Sequence, residues 1–282
     1  MQVKIVRNRL IADDGTPVSY RRSPNQSPGL EPAYVVVHYT AGASAESSID
    51  WLTNPAARAS AHVVVGRDGS ITQLVGFDRQ AWHAGRSEWQ GLEGLNAHSF
   101  GIELDNGGPL QRRADGVWYT PFGLRISDEE VGLAPHRDGG PVSGWHTYST
   151  EQLQVAADVA NLLVRHFGLL DVIGHDDIAP GRKRDPGPAF PMQTFRARVL
   201  GRGDAGGSAR LLAQTTTVLN IRTGPGTRFD KLPASPLPAG TKLELLAEQD
   251  AWRQVLVLDA VGGEMDVEGW VHGRYLRALP GE

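Results

Sequence analysis

The chain has 282 residues, of which 40% are hydrophobic and 21% charged, with a net charge of −4 and a pI near 6.1. The acidic balance argues against a nucleic-acid partner, which needs a basic face, and the lack of cysteine excludes disulfides and thiolate metal sites. The length accommodates two domains and leaves the oligomeric state open.

The opening Met1-Gln-Val-Lys-Ile-Val-Arg-Asn-Arg-Leu10 is broken by charge every few residues and offers no apolar signal-peptide core. No stretch is long enough to span a membrane. The chain as written is expected to start in the cytoplasm, without membrane insertion.

Strands are expected over 33–38, 61–66, 71–75 and 99–104, which are rich in Val and Ile and separated by turn chemistry such as Arg67-Asp68-Gly69-Ser70. His38 ends the first apolar run, and Tyr39-Thr40-Ala41-Gly42 opens from it into a helix. Ser44 is a candidate cap for that helix, which Pro55 would stop after about Thr53. Residues 105–148 are too long for an ordinary connection and form a large insertion, read either as a surface elaboration packed on its own aromatics or as a wall of a substrate groove. The spacing Ser149-Thr150-Glu151-Gln152 makes a capping box, and Leu153, Ala156, Ala157, Ala160, Leu163, Val164 and Phe167 follow at helical spacing until Gly168 stops the helix. These elements predict an α/β domain, a mixed central sheet flanked by helices.

The apolar pair Val172-Ile173 then delivers His175 at a strand end. In the segment from Gly174 to Pro188, the Pro and Gly residues forbid regular structure and fix where Lys183 and Asp185 point. Two histidines and a carboxylate, here His38, His175 and Asp185, are a known ligand set for catalytic zinc, which leaves a fourth position for water. Each residue also has a plainer reading: a strand-end histidine is usually packed, Glu103 can be an ordinary strand-end carboxylate, and Lys183 can simply balance Asp176 and Asp177. His62, inside an apolar strand, reads as a hydrogen-bonded core histidine rather than a ligand. For His83, substrate contact and structural packing stand level. His98, His136, His146 and His272 read as surface or loop residues, and His166 is explained by the negative end of its helix.

His38 with its loop, Ser60-Ala61-His62-Val63-Val64-Val65 with Arg67-Asp68-Gly69, Ala81-Trp82-His83-Ala84-Gly85, Gly101-Ile102-Glu103-Leu104 and the Gly174 to Pro188 segment occur in this order. Together they closely resemble the type 2 N-acetylmuramoyl-L-alanine amidases, the zinc family that includes the peptidoglycan recognition proteins, and specifically its branch with Asp as third ligand. The resemblance covers roughly residues 30–195. It implies a Zn2+ cofactor on His38, His175 and Asp185. It also implies Glu103 as general base and then proton donor, Lys183 as oxyanion stabiliser, and Tyr39, Trp82 and His83 as substrate contacts.

Gly201 to Ser208 reads as a flexible linker. Beyond it, short strands are expected at Thr217 to Arg222, Lys242 to Leu246, Trp252 to Val255 and Glu268 to His272, which imply a small β-barrel. Leu219-Asn220-Ile221-Arg222-Thr223-Gly224-Pro225-Gly226-Thr227 followed by Gly269-Trp270-Val271 resembles a bacterial SH3-like domain, a common wall-binding appendage. The expected organisation is a zinc amidase domain over 1–200, a linker over 201–208 and an SH3-like domain over 209–282. The expected function is hydrolysis of the lactyl-amide bond between N-acetylmuramic acid and L-alanine, with peptidoglycan or muropeptides as partner. A cytosolic amidase for soluble anhydro-muropeptides and a non-catalytic peptidoglycan-binding protein are the rival readings. A phage endolysin released through a membrane pore would reconcile the absent signal with a wall-binding module.

Overall fold

A computed structural model of the chain describes residues 3–201, 212–261 and 267–279, with backbone only at 247 and 248. It divides into two compact units, Met1–Phe190 and Pro191–Glu282. The expected 201–208 linker lies outside the described residues except for Gly201.

The first unit is built on a six-stranded sheet in the order Asp171–Gly174, Tyr34–Tyr39, Ser99–Leu104, Val63–Val65, Ile71–Gln73, Ser19–Tyr20. The first four strands run parallel. Val35, Val36 and Val37 are fully buried, as are Val63 and Val65, which fits strands covered on both faces. The register places Glu103 opposite His38 and Gly174 opposite Val37. His38, Glu103 and His175 therefore reach the carboxyl edge of the sheet side by side, where ligands of open α/β sheets bind.

Ser44 caps the helix Ala45–Leu52 with a reciprocal box to Ser47, and Ile49 and Leu52 face the core. The long helix Thr150–Phe167 ends at Gly168 in the left-handed conformation. Its expected box is only half made: the Ser149 side chain accepts from Gln152 N–H, but the Gln152 side chain donates to the carbonyls of Val65 and Asp105, each at 3.0 Å. Gln152 is fully buried, so two buried backbone acceptors outcompete the cap. His62 is a core residue: Nδ1 accepts from Gly101 N–H at 3.0 Å and Nε2 donates to Arg79 O at 2.9 Å.

Residues 105–148 form a second sheet of five antiparallel strands in the order Arg125–Ile126, Trp118–Tyr119, Pro109–Arg112, Ser143–His146, Val131–Ala134. Trp145 is fully buried in it. His136 and His146, expected at the surface or in loops, are only 3% and 5% exposed. His136 stacks on Trp145 with ring centroids 5.7 Å apart, and His146 Nδ1 accepts from Gly107 N–H at 3.0 Å.

In the second unit, the helix Met192–Leu200 precedes a five-stranded antiparallel sheet in the order Glu268–His272, Trp252–Val257, Lys242–Gln249, Leu212–Thr215, Leu276–Ala278. Ile221, Leu237, Leu243, Val255 and Val271 form its core. The strand expected at Thr217 to Arg222 is instead an irregular segment with isolated bridges, Leu219 to Leu237 and Arg222 to Trp270. Trp252 and Trp270 are half-buried. Among the described residues, no helix is long and apolar enough to cross a membrane.

Candidate metal centre

His38 Nδ1 lies 2.9 Å from His175 Nδ1 and 2.9 Å from Asp185 Oδ2, and His175 Nδ1 lies 2.8 Å from the same oxygen. All three residues are buried. Parallel pairing brings His38 and His175 together, and Asp176 N–H donating to the Asp185 carbonyl at 2.8 Å closes the loop that returns Asp185 to them. Instead of lying wholly in irregular chain, His175 opens a single helical turn, His175–Ile178.

The outer nitrogens settle the tautomers. His175 Nε2–H donates to Ala84 O at 3.2 Å. His83 Nε2–H reaches Ser99 O at 3.4 Å, so His83 Nδ1 is left to accept from His38 Nε2–H at 2.9 Å. Both inner Nδ1 atoms therefore present lone pairs to each other and to a carboxylate. Burial, followed by the neighbouring His175, lowers the pKa of His38 to about 4, so ring protonation does not relieve this contact near neutrality. Three electron-pair donors converging on one point in a dry setting fit a cation, and two imidazoles with one carboxylate fit zinc.

Glu103 stands beside this cluster. Its Oε2 meets neither solvent nor a hydrogen-bond partner among the described residues. Burial, reinforced by the charge of Asp185, raises the carboxyl to about 8 against the opposing pull of Lys183. Glu103 also lines a cavity of about 250 Å³ with Thr40, Gly42, Ser48 and the exposed Trp51. Lys183 is half-buried, and its charge acts on both His38 and Glu103.

A model of the N-acetylmuramoyl-L-alanine amidase family matches residues 28–188, more than half of the chain. The chain belongs to this family. Among the amidase relatives, the 1,6-anhydro-N-acetylmuramyl-L-alanine amidase AmpD of Citrobacter freundii is 35% identical over 144 residues, 50% of this chain and 58% of that protein. The N-acetylmuramoyl-L-alanine amidase AmiD of Escherichia coli is 32% identical over 176 residues, 59% of this chain and 53% of that protein. The chain thus spans little more than half the length of these two amidases. A solved complex of Escherichia coli AmiD with anhydro-N-acetylmuramic acid-L-Ala-D-gamma-Glu-L-Lys is 27% identical, with a TM-score of 0.45 over 74% of this chain and 68% of that one.

The three residues expected to contact an amidase substrate lie in different places. The Tyr39 ring packs on Gly108, where an added Cβ would come within 3.0 Å of it, and burial raises its phenol. Trp82 donates from Nε1 to Ser27 Oγ at 2.8 Å and lines a separate open cavity with Arg58 and Asn96. His83 lies behind His38 with both ring nitrogens engaged, so of its two readings the geometry favours packing over substrate contact. Sequence reasoning missed Asn96, whose Oδ1 accepts from His83 N–H at 2.9 Å and Ala84 N–H at 2.7 Å. It also missed Arg182, which donates from Nη2 to Ala84 O at 2.9 Å. Both hold the segment that orients the two histidines, and neither carries a motif that would mark it.

Proposed function

We propose that this protein is a zinc-dependent N-acetylmuramoyl-L-alanine amidase that hydrolyses the amide between the lactyl group of N-acetylmuramic acid and the L-alanine of the stem peptide. The observation that carries the reading is the convergence of His38 Nδ1, His175 Nδ1 and Asp185 Oδ2 beside the unpartnered Oε2 of Glu103. The relatives named as amidases support the same bond.

Zinc held by His38, His175 and Asp185 would supply a Lewis acid for the amide carbonyl and lower the pKa of water at its open position towards about 7. Glu103 Oε2 takes a proton from the attacking water and returns it to the departing amine nitrogen. A carboxyl raised towards neutrality is suited to holding that proton between the two steps. The Lys183 ammonium offsets negative charge developing on the carbonyl oxygen. His83 and Asn96 keep His38 and the Ala84 carbonyl in position. Tyr39 and Trp82 contribute to the groove for the muropeptide.

Residues 209–282 are proposed as an SH3-like module that tethers the amidase to insoluble wall, through a linker over 201–208, in the manner of an endolysin released to its substrate. A second reading, recycling of soluble anhydro-muropeptides, is supported by the relatives named as 1,6-anhydro-N-acetylmuramyl-L-alanine amidases. Mass spectrometry of digested sacculi against digested soluble muropeptides separates them. Release of stem peptides from sacculi supports the wall enzyme, release from soluble substrate alone supports recycling, and release from neither rejects the amidase reading.

A further inference from the structure

The segment that carries His175 and Asp185 has few internal restraints. Its ends are joined by Asp176 N–H and the Asp185 carbonyl, and beyond the helical turn His175–Ile178 the loop is closed by Arg182 and Lys183 N–H, which donate to Ala179 O at 3.1 and 3.0 Å. Gly181 and Gly187 both adopt positive φ, so the chain there is intrinsically permissive. Yet a metal site requires its ligands to stay within a few tenths of an ångström of one geometry.

Outside restraints come from Ala84 O, which accepts from His175 and Arg182, and from the inserted sheet. Between its strands Val131–Ala134 and Ser143–His146, three consecutive residues reach the ligand segment. Asp138 Oδ2 accepts from Gly181 N–H at 2.8 Å. The Arg137 guanidinium pairs with Asp177 and lies 3.9 Å from Asp176 Oδ1. His136 Nδ1 accepts from Asp138 N–H at 3.2 Å, and its Nε2 lies 3.5 Å from Asp176 Oδ2 without a hydrogen bond. On the far side of Asp185, Trp145 closes against Gly187, where a Cβ would fall 2.9 Å from the indole, so only glycine permits that approach.

We infer that the His136-Arg137-Asp138 turn of the insertion is a positioning element for the metal site: by fixing Asp176, Asp177 and Gly181 it holds His175 and Asp185 in register with His38. This rests on the reading of those three residues as metal ligands. It gives the insertion a role distinct from either a groove wall or a free-standing surface elaboration. Arg137 and Asp138 are exposed, so they can be changed without disturbing the core.

The test uses the full chain, with zinc alone as probe. The Arg137→Ala, Asp138→Ala double variant should retain the melting temperature of the metal-free protein, while its Kd for zinc, measured by competition with a chromophoric chelator, weakens about 10- to 100-fold, the range for partners that orient metal ligands. Arg137→Lys, which keeps the cation, should recover most of the affinity lost in Arg137→Ala. A merely structural turn would lower melting and leave Kd unchanged, and a folded double variant with wild-type Kd overturns the inference. If the wild-type chain binds no zinc, the ligand reading fails separately. Amide exchange at Asp176 and Gly181 then decides: selective acceleration in the double variant supports positioning, and unchanged exchange overturns it.

Discussion

His38 Nε2 and His83 Nδ1 share a hydrogen bond of 2.9 Å, and this contact decides which nitrogen of His38 is free to bind a metal. Because His83 Nε2–H is directed at Ser99 O, His83 offers only an acceptor to His38. The proton of His38 is thereby drawn outward, and its Nδ1 lone pair faces His175 and Asp185. Gly101 makes the arrangement possible, since a Cβ there would lie 2.5 Å from the His83 ring.

Replacing His83 should therefore weaken metal binding without removing a ligand. His83→Ala is expected to raise the zinc Kd about 10- to 100-fold, the usual cost of deleting a group that orients a ligating histidine. Chelator competition measures it, and a Kd equal to wild type would show that the hydrogen bond does not set the His38 tautomer.

Glu103→Gln should keep the metal and lose turnover. General acid-base contributions place the fall in kcat at about 10²- to 10⁴-fold, and elemental analysis should find zinc content unchanged. The raised pKa adds a stability signature to the metal-free protein. A carboxyl raised from 4.5 to about 8 contributes stability that is fully present below 4.5 and lost as the pH rises through about 8. Metal-free Glu103→Gln should accordingly be more stable than metal-free wild type at pH 9, in urea unfolding followed by circular dichroism.

Much of this arrangement follows from local sequence. The apolar run before His38 and the pair Val172-Ile173 before His175 mark buried strands, and Ser44, Ser149 and Gly168 mark helix ends because capping is decided by a few neighbouring atoms. Register is not local. The pairing of Glu103 with His38 depends on contacts between distant segments, as does the burial of His136 against Trp145. The inserted sheet escaped because strands such as Trp118–Tyr119 and Arg125–Ile126 are two residues long and show no periodicity. The Gln152 side chain leaves the expected box for the carbonyls of Val65 and Asp105, which are far away in the chain.

His62 should make the fold acid-sensitive. Burial lowers its pKa from 6.5 to about 4. The folded chain favours the neutral ring, so the associated stability is present above pH 6.5 and is lost as the pH falls towards 4, to the extent of ~3 kcal/mol. His62→Gln, which can still accept from Gly101 and donate to Arg79, should flatten this part of the profile in unfolding titrations between pH 7 and 4. An unchanged slope would assign the acid loss to other groups.

Since the first compact unit ends at Phe190, a chain truncated there should fold and take up zinc. Its rate on soluble muropeptides should match the full chain. Its rate on sacculi should fall, because tethering raises the local concentration of the amidase unit at the wall. Turbidity loss of sacculus suspensions compares the two directly, and equal rates would remove the wall-tethering role from the second unit.

The most direct test of the account is zinc stoichiometry in ligand variants. Elemental analysis after dialysis should find one zinc per wild-type chain, almost none in His38→Ala and in His175→Ala, and weaker retention in Asp185→Asn, where the neutral amide gives up charge compensation. Circular dichroism should show all of them folded. Full zinc occupancy in folded His38→Ala would contradict the account at its centre.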